Sequence, residues 1–587
     1  MLSIIKKFNL KEWEIVLFSI LFIILQVYLD LEIPSYMTKI TAALETKGTE
    51  AIDILIPGLK MILLSIMSML SSIMVGFLAA KVAAGFSARL RNNVFTKIMN
   101  YSTTDINRFS VPSLLTRSTN DITQIQLFIA MGMQVIVKAP ITALWALSKI
   151  ANKGWQWTTA TGIAVLVLIG LLTLILTLVQ PRFKIVQTIT DRLNLITREN
   201  LSGIRVVHAY GAENYQIKKF DEANQHLTRT NRFANQILAL MNPGMSLISS
   251  LLTLAVYAIG AIMINSATSH IKLTLFSNMI VFSSYAMQVI IGFMLLSIIF
   301  IILPRVTVSS ARIDEVLNVT PSVKYPNDSP SKFDIKGSIS FDSVSFRFKD
   351  AQEDAVSNVT FNINSGETVA LIGATGSGKT TILNLIARQY NATKGTVTVD
   401  GFNVNSYQET DLNNKIGYIP QKSVLFSGTI RSNIDFGNST NKNSPLSDEE
   451  IIKSLEIAQA TNLLNEKLGG IDAEVTQKGD NLSGGQKQRL AIARAIARKS
   501  EILMFDDSFS ALDYATDKMI RQKLQTEVAD TTKIIVAQRI STIMNADKII
   551  VLDKGKIVGI GTHKQLLSDN KVYQEIAYSQ LSKEELN

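Results

Sequence analysis

The chain contains no cysteine. A disulfide framework, a thiolate metal site and a cysteine nucleophile are thereby excluded. Charge is also scarce for 587 residues: Asp, Glu, Lys and Arg make up 18% against 47% apolar side chains, and mean hydropathy is +0.23. That balance points towards embedding in a bilayer and away from a soluble enzyme, and the length exceeds what one core can organise. The formal net charge of +10 is the single feature that could suggest nucleic acid. In so apolar a chain, Lys and Arg on cytoplasmic segments facing anionic lipid account for it, and no nucleic-acid partner is expected.

The missing charge is concentrated in runs. Ile15–Leu29, Met61–Ala80 and Trp155–Gln180 carry none, and Ile122–Leu147 carries only Lys138, in an interruption Lys138-Ala139-Pro140. From Phe233 to Pro304 the only formal charge is Lys272, and the polar break Asn265–Lys272 divides that region in two. Six membrane spans follow, at about 14–40, 57–85, 118–150, 155–185, 233–265 and 273–305. No small-residue cleavage site follows the first run, so it is read as retained rather than as a signal peptide. Lys6, Lys7 and Lys11 precede span one, and basic stretches separate spans two from three and four from five. By the positive-inside rule those sides, both termini and everything after span six are cytoplasmic, in a multi-pass protein of the cell membrane.

The stretches Lys81–Asp121 and Arg182–Arg232 are helical in pattern and poor in Pro and Gly. Helices therefore continue well beyond the bilayer, at about 1.5 Å per residue. Each stretch turns near its middle, around 103–108 (TTDINR) and 209–215 (AYGAENY), where a tip could touch a cytoplasmic domain. A polar linker, Val308–Lys332, ends in YPNDSPSK and places a domain boundary near 325: a membrane domain over 1–325 and a second domain over 326–587. Ser338–Phe348 then alternates as a strand should, with a hairpin into Val359–Ile363.

Within the second domain, GATGSGKT at Gly373–Thr380 is a complete G-x-x-x-x-G-K-[ST] phosphate loop. A strand (Glu367–Gly373) precedes it and a helix (Thr380–Arg388) follows. The backbone of Gly373, Ala374, Thr375, Gly376, Ser377 and Gly378 can turn its N–H groups onto a phosphate at a helix N-terminus, where Thr381 continues the helix. Lys379 can neutralise the β/γ-phosphates of ATP, and the Thr380 hydroxyl can ligate Mg²⁺. Gln421, just after a strand, could reach Mg²⁺ and an attacking water. Leu482–Arg489 (LSGGQKQR) opens a helix with a second anion nest that cannot serve the same phosphates without folding across the domain, so it suits another chain's nucleotide. Ile502–Asp506 is an apolar strand whose terminal Asp506 can hold Mg²⁺. SALD at 510–513 and IIVAQRIST at 534–542 complete the set.

These motifs in this order resemble the ABC exporter family, in which an α membrane domain of six long helices precedes an α/β P-loop NTPase domain of the ABC type. The resemblance spans nearly the whole chain. It implies that Phe348 stacks on adenine, where the family usually has Tyr, and that Gln421 senses the γ-phosphate. It implies that Ser483, Gly484, Gly485 and Gln486 are the signature capping a partner's ATP, that Asp513 lies at a dimer interface, and that the two tips are coupling helices.

Two positions depart from the family pattern. The residue after Asp506 is normally the general base Glu and here is Asp507, whose carboxylate is drawn back by roughly 1 Å, a displacement able to cost about 10²-fold. The switch His is replaced by Gln538, which has no titratable proton. Together, beside an intact phosphate loop and signature, they imply an ATP-binding but poorly hydrolysing site in one half of a heterodimeric multidrug exporter. The partner half would carry the catalytic Glu and switch His and use this chain's signature. Alternatives are a homodimeric lipid or peptide exporter or flippase, and a regulatory ABC protein that moves no cargo. The cargo is left open: Tyr285, Met287, Phe293 and Met294 offer an adaptable apolar surface but fit ordinary packing. Lys138 could meet a hydrophobic cargo's charge, snorkel, or pair with a carboxylate on the partner. Because no extra domain precedes span one, a peptidase-type peptide exporter is not expected.

Overall fold

The computed structural model describes residues 7–45, 50–151, 154–330, 336–349, 351–437, 445–466, 468–582 and 585–586. Lys6 and the linker's last residues, Ser331 and Lys332, lie outside the described residues. The chain forms two compact units: residues 1–99 with 110–319, and residues 100–109 with 320–587.

In chain order the first helices are α1 (Leu10–Glu45), α2 (Ala51–Met99), α3 (Thr103–Arg108), α4 (Val111–Ser118), α5 (Asn120–Ala151), α6 (Trp155–Ser202), α7 (Ile204–Ala209), α8 (Glu213–Ala239), α9 (Met241–Ser266) and α10 (Ser269–Asn318). All but α3 belong to the first unit. Among the described residues, six helical stretches are long and apolar enough to cross a membrane, as the charge-free runs predict. In hydrocarbon every backbone group must be paired within its own segment, which a helix achieves and a loop does not. The 49 residues of α2 extend roughly 70 Å at about 1.5 Å each, more than twice the ~30 Å of a bilayer core. Helix α5 runs unbroken through Lys138, Ala139 and Pro140. Neighbouring helices and hydroxyl side chains re-satisfy the groups that a proline frees in such a setting.

The core of this unit gathers around Trp157, Phe282 and Tyr285, all fully buried. Trp157 donates its indole N–H to the Val256 carbonyl at 3.1 Å, and Tyr285 its hydroxyl to the Leu31 carbonyl at 3.0 Å. Tyr285 is thus a packing residue, and Phe293 packs against the same core, whereas Met287 and Met294 are exposed. Lys138 finds its partner within the chain: its ammonium meets Asp30 at 3.3 Å, and Asp30 also accepts from Ser68. A second pair, Lys149 with Glu32 at 2.7 Å, joins the same two helices. The opposite end of the bundle is tied by Lys7–Asp314 (2.5 Å), Arg89–Glu12 (2.8 Å) and Arg117–Glu315 (2.7 Å). The second expected tip resolves into the short α7, a turn at Tyr210–Ala212 and the start of α8, with Tyr210 and Tyr215 exposed.

The second unit contains β1 (Ile339–Phe346), β2 (Val356–Ile363), β3 (Thr368–Gly373), β4 (Lys394–Val399), β5 (Phe402–Asn403), β6 (Ile416–Ile419), β7 (Gly428–Thr429), β8 (Glu474–Val475), β9 (Ile502–Asp506), β10 (Thr532–Val536), β11 (Lys548–Asp553) and β12 (Lys556–Gly561). Six of these form one sheet in the order β12-β11-β3-β10-β9-β6, and β2-β1-β4-β5 form another. Strands β3, β9 and β10 are parallel and buried along nearly their whole length. That is the expected state of continuous apolar runs such as VALI and ILMF when both sheet faces are covered. One face packs with β1, β2 and β4, the other with a helical layer. Parallel pairing brings the C-terminal ends of β3 and β9 to the same edge, each next to β10.

Helix α3 is seated within this second unit. Ser102 caps it with a reciprocal Ser102–Asp105 box. The Asp105 carboxylate also accepts from the Ser322 backbone N–H at 2.9 Å, and Thr103 donates to Gln389 at 3.4 Å.

Candidate nucleotide site

Strand β3 ends at Gly373, and helix α11 (Lys379–Ile386) begins six residues later, with Gly378 as its N-cap. Two glycines explain why the loop can be this tight. At Gly378, φ is +99° and an added Cβ would lie 2.7 Å from the Ala355 carbonyl oxygen; at Gly373 it would lie 2.1 Å from that of Leu552. No other residue fits either position without moving backbone.

Lys379 is buried with its ammonium curled into the loop, donating to the carbonyls of Gly373 (2.9 Å) and Ala374 (2.8 Å) and to the Ser377 hydroxyl (3.3 Å). Burial pushes its pKa down, opposed by Asp507 and Asp506. At the end of β9, Asp506 accepts from the Thr380 hydroxyl at 2.8 Å on one oxygen and from the Tyr418 phenol at 3.2 Å on the other. Two hard oxygen donors, Thr380 and Asp506, are therefore side by side on one wall. That suits Mg²⁺, which takes one or two protein oxygens and completes its shell with water and phosphate.

Asp507 is buried and adopts a left-handed backbone at φ +50°, a conformation that Asp tolerates better than most residues. Its Oδ2 accepts from the Gln538 amide at 2.9 Å and the Gln421 amide at 3.3 Å. Burial pushes its carboxyl pKa up, opposed by hydrogen bonds from Gln421 and Ser510 and by the Lys379 charge. The carboxylate is thus engaged by two amides, neither of which can take a proton at neutral pH.

One cleft, of about 280 Å³, is lined by Phe348, Thr375, Gly376, Gly378, Lys379, Thr380, Thr381, Gln421, Asp506, Asp507 and Gln538. Phe348 stands at its rim, exposed on one side and edge-on to Phe346 and Tyr390. Ser483, Gly484, Gly485 and Gln486 do not line it. They open helix α12 (Gly484–Ala497), where the Ser483 hydroxyl accepts from the Gln486 N–H and the Gln486 side chain accepts from the Ser483 N–H at 2.9 Å. This helix start faces solvent, as a nest for an anion on another molecule must. Asp513 caps helix α13 (Tyr514–Glu527) by accepting from the Thr516 N–H at 2.9 Å.

Two contributors have no motif to announce them. Tyr418 lies three residues before Gln421 on β6, beside β9, and only the strand register shows that its phenol reaches Asp506. Gln580, after the last helix α14 (Lys571–Tyr578), donates to the Gln538 carbonyl at 2.7 Å and accepts from the Ile540 N–H at 2.8 Å, pinning the switch segment from outside.

Comparison with known proteins agrees with this geometry. The family described as ABC transporter matches residues 356–510, and that described as ABC transporter transmembrane region matches residues 16–293. An uncharacterized ABC transporter ATP-binding protein of Mycobacterium tuberculosis (strain ATCC 25618 / H37Rv) is 34% identical over 549 residues, 93% of each chain. The uncharacterized ABC transporter ATP-binding protein YfiB of Bacillus subtilis (strain 168) is 34% identical over 533 residues, 90% of each chain. A solved structure of a bacterial Atm1-family ABC exporter with ATP bound is similar in fold, with TM-score 0.81 and 24% identity over 97% of this chain and 98% of that one.

Proposed function

This chain belongs to the ABC transporter family, as an exporter half-transporter with membrane and ATP-binding domains on one polypeptide, and from that premise we propose that it is the degenerate-site subunit of a heterodimeric multidrug exporter. It is a transport ATPase of a multi-pass membrane protein. The observation that carries the finer reading is Asp507: the base position holds a shortened carboxylate whose Oδ2 is engaged by the amides of Gln538 and Gln421. A general base works best with an unengaged oxygen aimed at water and a neighbour that can relay the proton; here Oδ2 is taken by two amides, and neither amide can relay a proton.

In this reading Phe348 stacks on adenine, and the loop Gly373–Thr381 cradles the phosphates with Lys379 supplying the charge. Thr380, Asp506 and Gln421 would hold Mg²⁺, which would supply positive charge against the phosphates. ATP stays in this site and favours closure of the two ATP-binding domains. Ser483, Gly484, Gly485 and Gln486 present their N–H groups to the ATP of the partner half, which brings the catalytic Glu and switch His. Closure and reset drive alternating access for hydrophobic compounds, with the ATP-binding domain and both termini in the cytoplasm.

The test is to tag this chain in its native host, purify it in mild detergent and identify what accompanies it. The expected result is a stoichiometric second ABC half carrying Glu and His at the matching positions. Recovery of a self-dimer with ATPase of its own would replace this reading with a homodimeric exporter using Asp507 as a weak base.

A further inference from the structure

Asp506 is held at both carboxylate oxygens, by Thr380 on one and Tyr418 on the other. Thr380 belongs to the phosphate loop, but Tyr418 does not line the nucleotide cleft. Tyr418 lines a second, larger cavity of about 960 Å³ in the same unit, together with Tyr101, Thr103, Tyr325, Gln389 and Arg494. Tyr101 and Thr103 belong to the segment that carries α3, the piece that leaves the membrane helices to join this unit. That segment is anchored by Asp105 on the Ser322 N–H and by Thr103 on Gln389. One residue therefore has its hydroxyl on the Asp506 carboxylate and lines the same cavity as the start of the α3 segment.

We propose that Tyr418 is a positioning residue that aims Asp506 at the Mg²⁺ position and makes that aim depend on how the α3 segment sits in that cavity. The inference rests on the reading above that Thr380 and Asp506 hold Mg²⁺. The route is separate from Gln421, whose amide contacts Asp507 and not Asp506. A hydrogen bond to a metal-binding carboxylate fixes its orientation, and removing such a second partner typically weakens metal affinity 10–100-fold. A shift of Tyr418 that breaks its contact with Asp506 would have the same consequence as removing the hydroxyl.

The test uses the full-length protein with whatever half accompanies it, loaded with photoreactive 8-azido-ATP and chased with ATP, with retained label read on this chain's own band. Retention is titrated against Mg²⁺, with EDTA as the zero point. Tyr418→Phe keeps the ring and removes the hydroxyl; its Mg²⁺ midpoint is expected to rise about 10-fold, with retention in EDTA equal to wild type. Asp105→Ala, remote from the nucleotide, is expected to raise the midpoint in the wild-type background and to add nothing in the Tyr418→Phe background. An unchanged midpoint in Tyr418→Phe, or additive effects of the two changes, overturns the proposal. Wild-type retention that ignores Mg²⁺ altogether overturns instead the assignment of Thr380 and Asp506 to the metal.

Discussion

The phosphate loop around Lys379 and the Asp507–Gln538 pair are two parts of one cleft, built to a comparable standard. Lys379 has three acceptors within 3.3 Å, and Asp507 has two amide donors within the same distance. Both residues are buried; Asp507 directly follows β9, and Lys379 opens helix α11 six residues after β3 ends. The parts differ in what their side chains can do. Lys379 brings a cation with three donors, whereas Asp507 offers a carboxylate bound by groups that cannot move a proton. Good packing and good hydrogen bonding are therefore common to both regions, and in the proposed reading one of them holds ATP while the other cleaves it poorly. Turnover has to be judged from the protons available, and not from how well ordered the site is.

The strongest way to break this contrast lies outside the cleft. Gly484 is exposed with open space around its Cα, so Gly484→Asp should fold, and an acidic residue at a helix start is even favourable. Its charge would repel a phosphate on the partner, and ATPase of the purified pair should fall about 10²–10³-fold. Unchanged turnover would remove the case for a composite site. Next, Lys379→Ala should cut 8-azido-ATP labelling of this chain by about 10-fold or more, the scale of one lost charged contact to phosphate. Turnover at the partner's site should suffer less than in Gly484→Asp, and an equal loss would mean that both sites hydrolyse.

Smaller effects sharpen the other half of the comparison. Asp507→Glu alone should raise ATPase by no more than about threefold, because Gln538 still cannot relay a proton. Combining it with Gln538→His should exceed the sum of the single changes; full recovery from Asp507→Glu alone would show that the switch position matters little. The smallest effect concerns stability. Burial raises the Asp507 pKa, so the ionised form is disfavoured in the folded state. A raised carboxyl pKa favours folding at low pH, and this contribution is lost as pH rises through the folded-state value. Asp507→Asn should therefore raise the unfolding midpoint of the full chain by about 1–3 °C at pH 7–8, with the gain shrinking on acidification. A gain that grows as pH falls would contradict the sign of the shift.

Much of this architecture was legible in the sequence because the signals were local. Charge-free runs mark six spans, and ILMFD ends a strand at Asp506 as its apolar pattern requires. Pro140 leaves α5 unbroken because, among neighbouring helices, the backbone groups that a proline frees are satisfied again. What could not be read were the partners set by register or by distance along the chain. The Tyr418 phenol meets Asp506 only through the β6–β9 pairing, and Gln580 reaches the switch segment from 42 residues away. Lys138 was visible as a charge in a span, but nothing local named Asp30 as its counter-ion.

The Asp30–Lys138 and Glu32–Lys149 pairs also set an order of events during synthesis. The carboxylates lie in the first helix to be made, and their lysines follow 108 and 117 residues later. At roughly 5–20 residues per second, that is a wait of about 5–20 s. Each unpaired charge carries a penalty of about 3 kcal/mol if it sits at the helix centre. During that interval the two acids of α1 lack these lysines, and Ser68, 38 residues on, is the first of these side chains to become available to Asp30. The helix that begins the bundle is thus completed, electrostatically, only when the fifth arrives.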